Sequence, residues 1–143
     1  MLQASVADDV ALEKAGEPDG GIFDERTLLQ RLMDDHQLAS IVLHAFLQDI
    51  PGQLDDLRVR FGEHDESGIR FRVHTLKGAA AAVSATRLRA ILEDLERSFA
   101  MSSIDDCALL AARANREFMR FRKSIERSSW WSTGPGRQKG GNL

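Results

Sequence analysis

The chain has 143 residues, 43% hydrophobic and 29% charged, with 19 Lys and Arg against 22 Asp and Glu, three prolines, one cysteine and no tyrosine. That is one domain's worth of chain with room for a core; no apolar run nears the roughly 20 residues of a membrane span, and lone Cys107 excludes a disulfide framework or cysteine-cluster metal site. The net charge of −3 hides an asymmetry, since residues 1–70 carry 15 acids and 6 bases, 71–112 carry 5 of each, and 113–143 carry 2 acids and 8 bases.

The first residues lack the basic-then-apolar order of a signal peptide, so the expected compartment is cytoplasmic. Residues 1–21 hold Gly, Pro, Asp and Glu without a sustained apolar period and read as a flexible arm or linker. Asp24 is placed to cap a short helix carrying Leu28, Leu29 and Leu32. Asp35 is placed to cap a long one carrying Leu38, Ile41, Val42, Ala45 and Phe46. Its stripe continues through Ile50, Leu54, Leu57 and Phe61, past Pro51, where a lost backbone donor should bend it. After a turn at Gly62-Glu63-His64, a third helix from near Asp65 to about Val83 buries Ile69, Val73, Leu76 and Ala80, and Ser84 can cap the next.

The fourth helix carries Leu88, Ile91, Leu92, Leu95 and Phe99. Ser103 with Asp106 resembles a capping box and opens a last helix whose face is Cys107, Ala111, Ala114, Phe118, Phe121 and Ile125. Residues 128–143, with Trp130, Trp131 and four glycines, read as a disordered tail. The expected fold is all-α: an antiparallel up-down-up-down four-helix bundle over residues 22–127, with a short additional N-terminal helix.

On the third helix His74 falls roughly 140° from the centre of the apolar stripe and should face water. Arg70, Phe71, Lys77 and Gly78 are its neighbours three and four residues away. Gly78 in mid-helix costs about 1 kcal/mol relative to alanine, and a gap beside the imidazole would explain it. An exposed imidazole has a neutral form with a nucleophilic ring nitrogen, and Arg70 and Lys77 are bases that can neutralise phosphoryl oxygens placed on it. With Gly78 and Ala81 the surface is flat, which suits a second protein bringing its own reactive group.

The run His74-Thr75-Leu76-Lys77-Gly78-Ala79-Ala80-Ala81, followed by Leu88 and Leu95-Glu96, resembles the histidine-containing phosphotransfer (HPt) domain of phosphorelays. Phe23-Asp24, Leu28-Leu29 and the Phe46-to-Pro51 stretch resemble its first half. The resemblance implies that His74 is the phosphoacceptor, that Lys77 lies beside the phosphoryl oxygens, and that Gly78 makes room for a receiver domain. Glu96 would hold the other ring nitrogen. The implied partners are response-regulator receiver domains, including those of a hybrid sensor kinase, with no nucleic acid and no direct membrane contact. No cofactor is expected on this chain; the Mg²⁺ that assists transfer would belong to the receiver. The chain would be a covalent carrier without turnover of its own, free-standing or the cytoplasmic end of a membrane-bound sensor kinase. Many members have glycine where this chain has Ser84, which puts the turn after the third helix in question.

A rival reading is a helical adaptor that binds receivers or kinases without accepting phosphate; intact His74, Lys77 and Gly78 weigh against it. A nucleic-acid tail is disfavoured because most of the late positive charge lies on the last helix, which antiparallel packing sets near the acidic first half. His36, His44 and His64 lack the i, i+4 pairing of a helical metal site, and Gly134 to Gly140 lacks the spacing of a phosphate-binding loop.

Overall fold

A computed structural model describes residues 21–128, which form helices α1 (Glu25–Arg31), α2 (His36–Gly62), α3 (Glu66–Ala82), α4 (Thr86–Met101) and α5 (Ile104–Glu126), with no strand among the described residues. Apart from Gly21 and Ser128, the arm and tail expected at 1–21 and 128–143 lie outside the described residues. The fold is the expected all-α bundle with a short helix ahead of it, and α2 runs unbroken through Pro51.

Side chains open the helices where the sequence places them. Asp24, Asp35, Asp65 and Ser103 each accept a hydrogen bond from the backbone N–H three residues on, at 3.0–3.2 Å, satisfying a donor that the first turn leaves orphaned. The helix ends share a second device. Met33, His64 and Ser84 adopt left-handed φ of 55°, 54° and 60°, and each is the pivot of a paired closure. After α3, for example, the Ala85 N–H donates to Ala80 O and the Ser84 N–H to Ala81 O. The chain therefore reverses within a few residues.

Ser84 corrects one expectation. It does not cap α4; Ala85 takes that position, without a side-chain hydrogen bond. Ser84 instead makes the left-handed turn that glycine would ease, although the conformation costs an L-residue roughly 1–2 kcal/mol. Surrounding bonds hold it there. Its carbonyl accepts from the Asp24 N–H at 2.9 Å, and Arg31 on α1 donates to Ala81 O and Ala82 O at 2.7 and 3.2 Å, capping the end of α3.

The apolar stripes of α2 to α5 converge on one core. Phe121, fully buried, packs edge-on against Phe46 of α2 at 5.3 Å and against Phe23 at 5.6 Å, so α5 closes on both α2 and the segment before α1. Polar ties set the α2–α3 seam: Asp56 accepts from Arg60 at 2.6 Å and from Arg72 at 2.9 Å. The Arg60 hydrogen bond first, and that of Arg72 second, hold the Asp56 carboxyl below the usual carboxylate range. Glu117 is an acid that the apolar pattern of α5 conceals. It is buried, bonded to Arg120 at 3.2 Å and 3.9 Å from Arg87 of α4.

Each long helix packs on the next, and α5 returns to α2. The α3–α4 seam therefore lies across the bundle from the α2–α5 seam. Among the described residues, no ion pair joins an acid of residues 21–70 to a base of residues 113–127. Direct pairing of oppositely charged helices does not account for the charge asymmetry.

Candidate functional site

The buried stripe Ile69, Val73, Leu76 and Ala80 turns the opposite side of α3 to solvent. His74 lies there, its side chain 74% exposed. Its Nδ1 faces Oε2 of Glu96 on α4 at 3.6 Å, just beyond hydrogen-bonding distance, and Nε2 has no partner among the described residues. One turn on, Lys77 Nζ donates to Oε1 of the same glutamate at 2.7 Å. Glu96 thus bridges the imidazole and the ammonium, one carboxylate oxygen toward each. The Lys77 hydrogen bond first, with the nearby imidazole contributing less, holds the Glu96 carboxyl below its ordinary range despite partial burial.

Gly78 completes the surface. A Cβ built there would meet nothing within 4 Å, so no neighbour in this chain requires the glycine. Gly68 on the same helix is the opposite case: a Cβ there would collide with the side chains of Arg60 and Asp65. One glycine is explained by internal packing and the other is not. What Gly78 leaves is open space beside the imidazole, at a cost of about 1 kcal/mol of helix propensity.

The structure brings together His74, Lys77 and Glu96 and sets Gly78 on the same exposed side. It draws Arg70 away. The guanidinium of Arg70 lies over the Phe99 ring at 5.0 Å, packed on the edge of α4 rather than poised over the imidazole. Sequence reading named Phe71 only as a neighbour, yet it is a 62% exposed aromatic one turn before His74, with Arg72 stacked on it at 5.5 Å. Its position three residues from His74 was the available signal. A cavity of about 110 Å³ lined by Ile69, Arg70, Val73, Glu96 and Phe99 adjoins the site, smaller than the several hundred Å³ of a small-molecule pocket.

The other singled-out residues lie elsewhere. His64 is 3.8 Å from Asp105, and His44 Nδ1 is 2.8 Å from the Ser40 carbonyl. Cys107 is buried, and that burial pushes its thiol pKa up. Among the described residues, no three His, Cys, Asp or Glu gather as a metal site, and no helix is long and apolar enough to cross a membrane.

The all-α bundle thus offers an imidazole on an open helix face, beside a carboxylate and an ammonium. Residues 41–129 match the family model of the Hpt domain, more than half of the chain, and the chain belongs to that family. Neither curated proteins nor solved structures gave a match.

Proposed function

We propose that the chain is a phosphoryl carrier in which His74 accepts a phosphoryl group from an aspartyl phosphate on one receiver domain and passes it to the aspartate of another. The observation that carries this reading is the exposed His74 side chain, whose Nε2 has no partner among the described residues, beside the ion pair between Lys77 and Glu96 on a domain of the Hpt family.

The chemistry follows from which nitrogen carries the proton. With the proton on Nδ1, toward Glu96, the Nε2 lone pair attacks phosphorus; the N–P bond forms, the P–O bond to the aspartyl oxygen breaks, and its electron pair leaves with the donor's carboxylate. In the second transfer a carboxylate oxygen of the acceptor's aspartate attacks phosphorus, the new P–O bond forms, the Nε2–P bond breaks and its electron pair returns to Nε2. Because Nδ1 keeps its proton, the ring leaves as neutral imidazole rather than as an anion. Glu96 orients the ring and favours that protonation. Lys77, one turn from His74, exchanges part of its bond to Glu96 for a phosphoryl oxygen. Mg²⁺ would be held by receiver carboxylates and would neutralise phosphoryl charge there.

Gly78 gives the incoming domain its approach, and the open face suits a receiver that brings its own aspartate. The test is incubation with a phosphorylated receiver domain. An acid-labile label should appear on the chain and vanish in His74→Gln, with the helical circular dichroism unchanged because the side chain is exposed. Label persisting in the variant removes His74 from the role, and no label from any tested receiver favours the adaptor reading.

A further inference from the structure

The surroundings of His74 are divided. At about 100° per residue along α3, Phe71 and Gly78 fall roughly 60° and 40° to one side of the imidazole, and Lys77 and Arg70 roughly 60° and 40° to the other. The second flank carries the charge, with Lys77 bonded to Glu96 at 2.7 Å and Arg70 over Phe99. The first holds Phe71, Gly78 and Thr75, none of them charged, and Thr75 donates its hydroxyl to the Phe71 carbonyl at 2.9 Å.

Phe71 is the exception among the seven phenylalanines. Five are buried and Phe61 is partly buried against the core, whereas Phe71 is 62% exposed. The core does not use the ring, yet the ring is not left loose. The Arg72 guanidinium lies over it at 5.5 Å, and that group is itself fixed. It donates to Asp56 at 2.9 Å and to Gln53 at 3.2 Å, both on α2, and the Arg72 side chain is only 19% exposed. An aromatic ring held in water on a tethered platform loses little rotamer freedom when a partner covers it.

We infer that Phe71 is the docking anchor of this site, and that the receiver domain which brings its aspartate to His74 covers the ring with apolar side chains. The identity of that partner rests on the proposed function. The geometry does not: Phe71 is three residues from His74, a rise of about 4.5 Å, so any domain that carries a reactive group to Nε2 also lies over the ring. Gly78, on the same flank, lets that domain come close. Selection follows from the chemistry of the ring. A receiver with a charged side chain opposite Phe71 would bury that charge unpaired and be rejected, so Phe71 discriminates among partners that all present the same aspartate.

The test measures, by calorimetry and without phosphate, the binding of purified receiver domains of the source organism to the full chain. At least one receiver should bind wild type. Phe71→Ala should weaken that complex about 30-fold, the scale set by covering one aromatic ring. Phe71→Leu should recover most of the loss, with helical circular dichroism unchanged in both variants. In transfer from the phosphorylated receiver, Phe71→Ala should raise KM and leave the saturating rate alone. Phosphoramidate, a small donor that releases ammonia as its phosphoryl group passes to the imidazole, should label Phe71→Ala as fast as wild type. Unchanged affinity in Phe71→Ala, no recovery with leucine, or slower labelling of Phe71→Ala by phosphoramidate overturns the inference, as does failure of every receiver to bind. A receiver that binds through Phe71 but never labels His74 upholds the anchor and removes the carrier reading.

Discussion

The bundle carries bases on two opposite sides and treats them differently. On the α3–α4 side, Lys77 is 27% exposed and tied to Glu96 at 2.7 Å, while His74 Nε2, the atom proposed to take the phosphoryl group, has no partner among the described residues. On the α5 side, Arg113, Arg116, Lys123 and Arg127 have no acid within reach among the described residues, and no reactive group stands with them. Pairing on the first side holds Lys77 and Glu96 to each other; on the second, bases of like charge stand in a row along one helix face.

Both sides rest on one core, and the strongest way to probe that dependence is Phe121→Ala. The ring is fully buried against Phe46 and Phe23, so truncation should cost about 3–5 kcal/mol in urea unfolding. The molecules still folded should accept phosphoryl groups at His74 at the normal rate. A cost below 1 kcal/mol would mean that α5 closes on α2 by other contacts.

Gly78→Arg separates the two sides. A Cβ added there meets nothing within 4 Å and the position is exposed, so the fold should hold. A receiver should lose about 100-fold in transfer rate, roughly 2.7 kcal/mol of docking energy. Gly78→Ala, a smaller obstacle, should raise unfolding stability by about 1 kcal/mol. Wild-type transfer kinetics in Gly78→Arg would show that the partner approaches from elsewhere.

That glycine marks how far the sequence alone could go. The caps at Asp24, Asp35, Asp65 and Ser103 and the stripes of α2 to α5 were legible because both depend on local spacing. So was the outward direction of His74, which the helical period dictates. The role of Arg70 was not, because its guanidinium is claimed by Phe99, 29 residues away, and a contact at that separation leaves no local trace. Buried Glu117 escaped for the same reason: Arg87, which stands beside it, is on another helix. Ser84 was misread because a serine before a helix suggests a cap, whereas the closure of α3 claims that position first.

Ser84→Gly should stabilise the bundle by about 1 kcal/mol. Glycine removes the left-handed penalty and returns part of the gain through its freer unfolded chain. It also deletes a buried hydroxyl with no hydrogen-bond partner among the described residues. Thermal melting should show a rise of several degrees with His74 labelling unchanged; a fall would mean that the hydroxyl is satisfied in solution by water worth more than the strain.

The smallest expected effect is the most specific to the paired side. Glu96 is held below its ordinary pKa mainly by Lys77, so in Glu96→Gln the lost ion pair should lower stability at neutral pH. Its folded-state pKa lies below the unfolded one; the contribution is therefore complete above the unfolded value and disappears as pH falls through the lowered folded value. Since the Glu96 side chain is 39% exposed, solvent screening keeps the difference below about 1 kcal/mol. Urea unfolding of wild type and Glu96→Gln should differ at pH 7 and converge in acid below the ordinary glutamate range. The neutral-pH difference should shrink in Lys77→Met, where the partner is already gone. A gap that persists in acid would assign the effect to the hydrogen bonding of the isosteric amide rather than to charge. The carboxylate would then be a spacer under the imidazole instead of the group that fixes its proton.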